Sequence, residues 1–312
     1  MYLWNNADDS CSEKCGRNIT PMRIDDLFRS SLTKISPKLN TVVVYVVKKH
    51  KLIHWKKPQT FVEKLLKLRI TDYNYNPLVK QCADKYAVRS YVEEHGYGFL
   101  LNDLIAAYDY PEDIVWDDLP DRFAMKLNFA CTYNIICRDK DQLDKEKAIK
   151  QLRGWMKQKP WLGYAELQYK DVPLKIIVEK FLEGKNGLFP EDYKLYCFHG
   201  EPKAVLYMSG RYSDHMMVGF FDTEWNYLGS TQKAYEGFEE NNLPKKPESL
   251  DMMIEAAKAL SEPFPFVRMD FYDLDGTAIF GEMTFSPAGS FDVSEIDVHG
   301  ESMADMLHLE KE

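Results

Sequence analysis

The segment "VRMDFYDLDGTAIFGEMTFSPAGSF", residues 267–291, alternates like a β-hairpin but carries acidic side chains within its strands. We predict a three-residue loop over 274–276, because loops of this length favour glycine at their left-handed position. In the resulting register Arg268 faces Glu282 across the hairpin. A two-residue loop would instead turn Glu282 into the core, unpaired, at a cost of several kcal/mol.

The two faces of this hairpin differ in chemistry. The face predicted to be open holds charged and hydroxyl side chains: Arg268, Asp270, Tyr272, Glu282 and Thr284. The face predicted to enter the core is apolar: Val267, Met269, Phe271, Ile279, Met283 and Phe285. Asp270, which this register places opposite Phe280, and Glu282 suit Mg²⁺, which prefers oxygen ligands. The alternative is a solvated face with a surface Arg268–Glu282 ion pair.

Size, charge and cysteines narrow the class of protein. A chain of 312 residues is long enough for two or three packed subdomains. A net charge of −9 argues against a dedicated nucleic-acid binder. The N-terminus lacks the features of a signal peptide, and the longest apolar run, 42–47, is too short to span a bilayer. The six scattered cysteines suit reduced structural thiols, so we expect a cytoplasmic protein.

Helices dominate the first part of the chain. We predict a helix from Pro21 to about Ser36, capped by Thr20 and ended by Pro37. Its inward face is predicted to be Ile24, Leu27, Phe28, Ser31, Leu32 and Ile35.

Two more helix starts follow. Thr60 and Glu63 form a capping-box pattern. A helix over 84–94 is predicted to place Lys85 and Arg89 on one face.

Strands mix with helices from about Asp121 onward. A hairpin is predicted around the short "FACT" loop, 129–132, and an amphipathic helix over 144–158, with Ala148, Leu152, Trp155 and Met156 inward. A buried strand follows at 174–184, and then a hairpin that turns at His199-Gly200. Together with a helix at 249–262, this order predicts an α+β fold rather than a doubly wound sheet.

The surroundings of the hairpin resemble a known family. The blocks that carry the resemblance are, in order, "PQTFVEKLLKLRI", "ADKYAVRSYVEEHGYGFLL", "LPDRFAMKLN", "YNIICRDKDQLD", "IIVEKFLE", "EDYKLYCFHGEPKAV", "FDTEWNYL", the hairpin itself and "IDVHG". Their order is similar to that of the teichuronopeptide-biosynthesis (TupA-like) ATP-grasp family. The resemblance runs from about Pro58 to the end of the chain.

The resemblance implies an ATP-grasp fold, in which two α+β subdomains clasp a nucleotide. The implied domains are an unassigned region with one amphipathic helix at 1–57, a preceding region at 58–118 and the ATP-grasp domain at 119–312. The implied cofactors are ATP and Mg²⁺.

Residue roles also follow from the resemblance, position by position. Arg89 and Lys126 match the basic positions that hold the phosphates. The adenine-binding strand matches Glu179, Lys180 and Leu182; the ribose acid matches Asp192, with Lys194 beside it facing phosphates or substrate. Asp270 and Glu282 match the magnesium ligands, and Arg268 is placed to bind an acyl phosphate or an acceptor carboxylate. Lys126 and Arg268 are thus the implied catalytic residues.

The sequence departs from the family pattern at two places. The loop after the first strand is usually small and often contains glycine, whereas here Ala130, Cys131 and Thr132 include none. Many ATP-grasp enzymes carry asparagine as a third metal ligand where this chain has Thr284. A hydroxyl is a weaker ligand, so a second Mg²⁺ is expected to be held loosely.

The function implied is that of an ATP-dependent carboxylate–amine ligase acting through an acyl phosphate. Its expected partners are an amino acid or peptide and a polysaccharide or lipid-linked sugar precursor of the cell surface. One alternative is a glycosyltransferase of the same pathways, although the sequence lacks the glycine-rich strand–helix turn that we would expect of one. Another is a nucleotide-binding protein of the same fold that has lost turnover.

A basic segment, "KKHKLIHWKK" at 48–57, stands out in this acidic chain. Lysines with Leu, Ile and Trp between them suit contact with an anionic membrane or a lipid-linked precursor. The alternative is a solvated helix or strand edge.

Overall fold

The computed structural model describes residues 24–129, 133–184, 189–210, 216–230, 238–239 and 241–309. The described chain divides into two compact units. The first contains Asp103–Gln158 and Leu174–Phe181, and the second contains the rest. Each unit has its own antiparallel sheet with helices, as the α+β prediction requires.

The first unit is built on a four-stranded sheet in the order β1-β4-β2-β3. Its strands are β1 (Leu104–Tyr108), β2 (Phe123–Leu127), β3 (Asn134–Cys137) and β4 (Ile176–Lys180). β2 and β3 form the predicted hairpin. The predicted helix of this unit, numbered α6 in chain order, is Lys145–Met156; it buries Ala148, Leu152 and Trp155, while Met156 is only half-buried.

The second unit contains a six-stranded sheet in the order β10-β9-β5-β6-β7-β8. Its strands are β5 (Glu191–Phe198), β6 (Glu201–Ser209), β7 (Met217–Phe221), β8 (Tyr227–Gly229), β9 (Phe266–Leu274) and β10 (Thr277–Thr284). A small separate pair is β11 (Asp297–Val298) with β12 (Glu301–Ser302).

Eight helices of the described chain belong to this second unit. They are α1 (Ile24–Ile35), α2 (Pro37–Lys49), α3 (Phe61–Leu68), α4 (Pro77–Ala83), α5 (Val88–Glu94), α7 (Trp161–Tyr164), α8 (Leu250–Ser261) and α9 (Met303–Met306). Within the described residues, none of the helices is long and apolar enough to cross a bilayer.

The core of the second unit forms where α3 and α8 cover the apolar face of its sheet. Phe61 of α3 meets Phe266 of β9 edge-on, with ring centroids 5.2 Å apart. The capping box at the start of α3 forms as predicted between Thr60 and Glu63. Three cysteines, Cys82, Cys137 and Cys197, are free and buried, as expected of reduced structural thiols.

The first helix corrects the prediction of its inward face. Leu27, Phe28 and Ile35 are 59%, 56% and 75% exposed, whereas the polar Thr33 is buried. The Thr33 hydroxyl donates to the carbonyl of Leu162, so this side of α1 packs through polar contacts. Pro37 ends α1 but also begins α2, whose N-cap is Ser36. The predicted cap and first residue, 20 and 21, lie outside the described residues.

The predicted helix over 84–94 is instead a turn followed by α5. Asp84 ends α4 in an extended conformation, and its carboxylate accepts the amides of Tyr86 and Ala87. This side-chain turn competes with helix formation. Lys85 therefore lies in the turn, and the predicted helical face shared by Lys85 and Arg89 does not form.

Candidate functional site

The hairpin β9–β10 closes through a two-residue turn, so the predicted three-residue loop is wrong. Asp275 and Gly276 both have positive φ, 51° and 83°, and Leu274 pairs with Thr277. Asp-Gly at such positions is a strong signal for this type of turn. The shorter loop shifts the register of β10 by one residue relative to the prediction.

A β-bulge at Gly281 restores the position of the acid. Phe280 pairs with Phe271, and the next pair after the bulge is Glu282 with Asp270. One extra residue on one strand returns the following side chains to the other face. Glu282 therefore stays out of the core, and its direct partner is Asp270 rather than the predicted Arg268.

The bulge also corrects part of the predicted core face. Phe280 and Ala278 are the buried side chains at the turn end of β10, whereas Ile279 pairs with Tyr272 and is only half-buried. The other predicted core residues of the hairpin are buried: Val267, Met269, Phe271, Met283 and Phe285.

Asp270 is buried at the centre of a charged cluster. Its Oδ1 accepts Nε of Arg268 at 2.7 Å, and its Oδ2 accepts Nη2 of Arg268 at 2.6 Å. Lys194, on the neighbouring strand β5, donates to Oδ2 of Asp270 at 2.9 Å and to Oδ1 of Asp192 at 3.1 Å. A two-pronged arginine contact with two charged donors on one carboxylate fixes its orientation.

Glu282 lies at the open side of the same cluster. Its side chain is 32% exposed, and its Oε2 lies 3.1 Å from Nζ of Lys85. Its Oε1 accepts the Thr284 hydroxyl at 3.1 Å and lies 3.9 Å from Nη2 of Arg268. Because Glu282 is only partly covered, it is the carboxylate of the cluster best placed to meet a ligand.

The charges of the cluster balance, and they shift the pKa values of Glu282 and Arg268 toward the ionised forms. Burial raises the pKa of Glu282, but Lys85, Arg268 and Lys194 outweigh it and hold that pKa well below its ordinary value. Burial lowers the pKa of Arg268, but Asp270 outweighs it and raises that pKa. Three cations therefore face three carboxylates, Asp192 included, on one face of three neighbouring strands and the adjacent turn.

Lys85 belongs to this cluster, although the sequence predicted it only as part of a helix face shared with Arg89. The turn held by Asp84 brings Lys85 to Glu282. The predicted helix through Lys85 does not account for this contact. The signal in the sequence is Asp84 itself, since an aspartate after a helix favours a side-chain turn.

Arg89 forms no ion pair with the cluster among the described residues. Its Nη2 donates to the carbonyl of Asn102 at 2.9 Å. Its role at the nucleotide phosphates remains a prediction.

The first unit carries three of the predicted nucleotide-binding residues. Nζ of Lys126, on β2, lies 2.8 Å from Oε2 of Glu179 on β4. Lys180, at the end of β4, pairs with Asp103 at 3.4 Å, and both of these side chains are exposed. Leu182, beyond the strand, belongs to the second unit and is half-buried. In the "FACT" loop, 129–132, Phe129 is buried and residues 130–132 lie outside the described residues.

The turn after β10 has an unusual backbone. Ala288, Gly289 and Ser290 have successive positive φ values of 48°, 63° and 62°. Two non-glycine residues in this region are held against their preference, a form of strain often found at functional sites. Arg69 supports the turn by donating to the carbonyl of Gly289 at 2.6 Å.

The donor set of the cluster fits a hard cation in part. Carboxylates from paired strands and a hydroxyl are oxygen ligands, and Mg²⁺ in nucleotide sites commonly takes one or two carboxylates. The described residues hold no group of three or more His, Cys, Asp or Glu side chains arranged for a metal. A cation here would therefore need Asp270 and Glu282 together with oxygens from a ligand or from water.

A family model described as TupA-like ATPgrasp matches residues 63–305, most of the chain. The chain belongs to the TupA-like ATP-grasp family. This confirms the suspected family and the ATP-grasp fold expected from it. A comparison of the sequence of this chain with curated proteins found no match.

Solved structures similar to this TupA-like chain include three ligases. A D-alanine–D-alanine ligase from Bacillus anthracis, complexed with ATP, is 14% identical with a TM-score of 0.39, over 66% of this chain and 55% of that one. An L-amino acid ligase from Bacillus licheniformis is 17% identical with a TM-score of 0.42, over 68% and 44%. The ATP-grasp ligase PsnB, complexed with a minimal precursor, is 13% identical with a TM-score of 0.41, over 75% and 62%. The matched region spans little more than half the length of the first of these structures.

The bulge at Gly281 provides a test of how the site is aligned. A Cβ at this position would lie 2.9 Å from the carbonyl oxygen of Asp270, closer than real contacts allow. We expect Gly281→Ala to lower the free energy of unfolding by about 1–3 kcal/mol. If the cluster positions Mg·ATP, as proposed below, ATP turnover should fall at least tenfold, because Glu282 moves relative to Asp270.

Urea unfolding and ATP turnover measure the two effects. Gly163→Ala is the matched control, since a Cβ there meets nothing within 4 Å. Turnover by Gly281→Ala equal to that of the control would contradict the alignment by the bulge.

Proposed function

We propose that this TupA-like ATP-grasp protein is an ATP-dependent carboxylate–amine ligase that works through an acyl phosphate. The observation that carries the proposal is the balanced cluster around Asp270 and Glu282 on the open face of β9–β10. Because ATP-grasp ligases in general act on ATP, membership of this family supports a nucleotide as the ligand of the cluster.

The first step of the proposed reaction transfers a phosphoryl group. A carboxylate oxygen of the substrate attacks the γ-phosphorus, the bond from that phosphorus to the β–γ bridging oxygen breaks, and ADP leaves. Such a reaction needs positioning and positive charge rather than covalent help from the protein. Lys194 and Arg268 supply fixed charge beside Asp270, and Lys85 supplies it beside Glu282.

Magnesium is the proposed metal of this site. Asp270 and Glu282 would hold it, with Thr284 as a weaker neighbour, and the ion would neutralise the β- and γ-phosphates. The cations and carboxylates of the cluster are equal in number, so a bound Mg²⁺ would supply the net positive charge that the phosphates need.

The remaining nucleotide contacts follow from the family positions. We assign Arg89 and Lys126 to the phosphates and the β4 segment, Glu179, Lys180 and Leu182, to adenine. The Glu179 carboxylate already pairs with the Lys126 ammonium group, so a residue assigned to adenine lies beside one assigned to the phosphates. Asp192 is assigned to the ribose, although its present contact with Lys194 ties it to the charged cluster.

The second step forms the C–N bond. An amine attacks the carbonyl carbon of the acyl phosphate, phosphate leaves, and the amine proton passes to solvent or to a base. Arg268 is proposed to bind the acyl phosphate or the acceptor carboxylate. The strained turn at 288–290, supported by Arg69, is placed directly after β10 and suits contact with these substrates.

The proposed task is to attach an amino acid or peptide to a cell-surface polysaccharide precursor. The name of the family suggests this substrate class. A screen of amino acids and uronic-acid sugars for stimulated ADP release tests it. Stimulation only when an amine and a uronic acid are both present supports the task, whereas stimulation by amino-acid pairs alone would assign a peptide ligase.

A further inference from the structure

The region formed by α1, α2 and the segment after them is strongly basic. Residues 24–57 contain eight Lys and Arg residues and two Asp residues, in a chain whose net charge is −9. A local excess of this kind is attracted to anionic surfaces.

The helices α1 and α2 form an antiparallel pair over α7. At the connection between them, Asn40 of α2 donates to the Thr33 hydroxyl of α1 at 2.7 Å and to the carbonyl of Gly163 at 3.1 Å. At the far end, Arg29 of α1 and Lys48 of α2 both lie over the ring of Tyr164, at 4.9 and 5.9 Å from its centroid. One side of each helix therefore faces α7.

The opposite side of each helix is apolar and exposed. On α1, Leu27 and Ile35 are two helical turns apart on one face, and Phe28 adjoins them. On α2, Leu39 and Val47 are 42% and 67% exposed, with the half-buried Val43 between them on the same face. This outer surface, residues 27, 28, 35, 39, 43 and 47, is called the apolar face below.

Exposed lysines lie on α1 and in the segment after α2. Lys34 directly precedes Ile35 on α1, while Lys51, Lys56 and Lys57 lie in the segment after α2. Within the described residues, none of these four ammonium groups forms an ion pair. Leu52, 72% exposed, lies among them.

We infer that the apolar face docks this protein on an anionic lipid bilayer. Helices bind the membrane interface when apolar side chains enter the acyl boundary and lysines meet anionic headgroups. The helix pair supplies the apolar face, and Lys34 together with the segment after α2 supplies the exposed lysines. The inference concerns a surface remote in sequence from Asp270 and Glu282 and stands apart from the proposed ligase function.

Charge favours this partner over two others. A second copy of the chain would bring the same positive surface against itself, which like charges oppose. A nucleic acid would engage the lysines but would leave Leu27, Phe28 and Ile35 without a matching surface.

Vesicle binding by the full chain tests the inference. We expect binding to vesicles of phosphatidylglycerol and phosphatidylcholine in equal parts, weaker binding at high salt, and little binding to phosphatidylcholine alone. The double variant Phe28→Glu with Ile35→Glu should lose binding at least tenfold. Replacing Lys34, Lys51 and Lys56 by Gln should weaken it by roughly fivefold for each lysine removed.

Matched controls come from the rest of the chain. Phe99→Glu changes a phenylalanine that is 65% exposed outside the apolar face, and Lys145→Gln removes an exposed lysine of α6. Both should bind vesicles like the unaltered chain. Equal binding to neutral and anionic vesicles, or unchanged binding by the double variant, would overturn the inference. So would a dimer or a duplex-DNA complex that the double variant abolishes while no vesicle binding is seen.

Discussion

Glu282→Gln is expected to reduce ATP turnover to background while the protein stays folded. The substitution keeps the shape of the side chain but removes the charge that faces Lys85 and the proposed metal. Because this side chain is one-third exposed, the loss in unfolding free energy should be at most about 1 kcal/mol. Substrate-stimulated ADP release and urea unfolding measure the two quantities.

Asp270→Asn should abolish turnover as well, but with a loss of stability. Asp270 is buried and accepts charged donors from Arg268 and Lys194, and the substitution removes the carboxylate charge that both of these cations face. Breaking a buried pair in this way typically costs about 3–5 kcal/mol. The burial of Asp270 makes Glu282→Gln the cleaner test of the two.

Glu201→Gln is the matched control for these two variants. Glu201 begins a strand of the same sheet and pairs with Lys258 at 2.7 Å on the surface. Its substitution should leave turnover unchanged. Full turnover by Glu282→Gln, with Mg²⁺ present, would remove this residue from the site.

Lys126→Met is expected to slow formation of the activated acyl group by about 10²–10³-fold. The reason is that the family position assigns this ammonium group to the transferred phosphoryl group. Trapping with hydroxylamine, which converts an acyl phosphate to a hydroxamate, measures the step directly.

The variant also removes the ammonium group that pairs with the buried Glu179, so stability needs a control. The double variant Lys126→Met with Glu179→Gln also removes the carboxylate charge that faced Lys126, and it should recover stability without recovering trapping. Lys175→Met changes a lysine of the same unit that pairs with Asp109 at 2.7 Å, and it should trap normally. Normal trapping by Lys126→Met would show that another residue supplies this charge.

The open face of the hairpin was predictable although its loop was not. The predicted loop has one residue too many and the predicted hairpin lacks the bulge at Gly281, and these two errors cancel in the face on which Glu282 lies. Both signals were present, since Asp-Gly favours a two-residue turn and a glycine within a strand often marks a bulge. A prediction that used only the two-residue turn, or only the bulge, would have placed Glu282 in the core.

The long-range contacts of the cluster were beyond sequence reasoning. Lys85 and Glu282 are far apart in the chain, and only the packing of the turn at Asp84 on the sheet brings them together. The pairing of Lys194 with Asp270 depends on β5 lying beside β9, an order that local patterns do not specify.

In the N-terminal region the helix α1 was predictable, but the side of it that is buried was not. The apolar period of α1 was correct as a helix signal but wrong as a sign of burial, because Thr33 and Asn40 make the inward contacts through hydrogen bonds. The "VVVYVV" run is rich in β-branched residues, yet it forms α2 because tertiary packing of Val44 and Tyr45 outweighs propensity.

Product analysis tests the acyl-phosphate mechanism most directly. The protein is incubated with Mg·ATP, an active carboxylate substrate and hydroxylamine, and nucleotides, phosphates and hydroxamate are quantified together. Attack at the γ-phosphorus predicts ADP and hydroxamate in equal amounts, with neither formed by Glu282→Gln. AMP and pyrophosphate as the main products would contradict the mechanism.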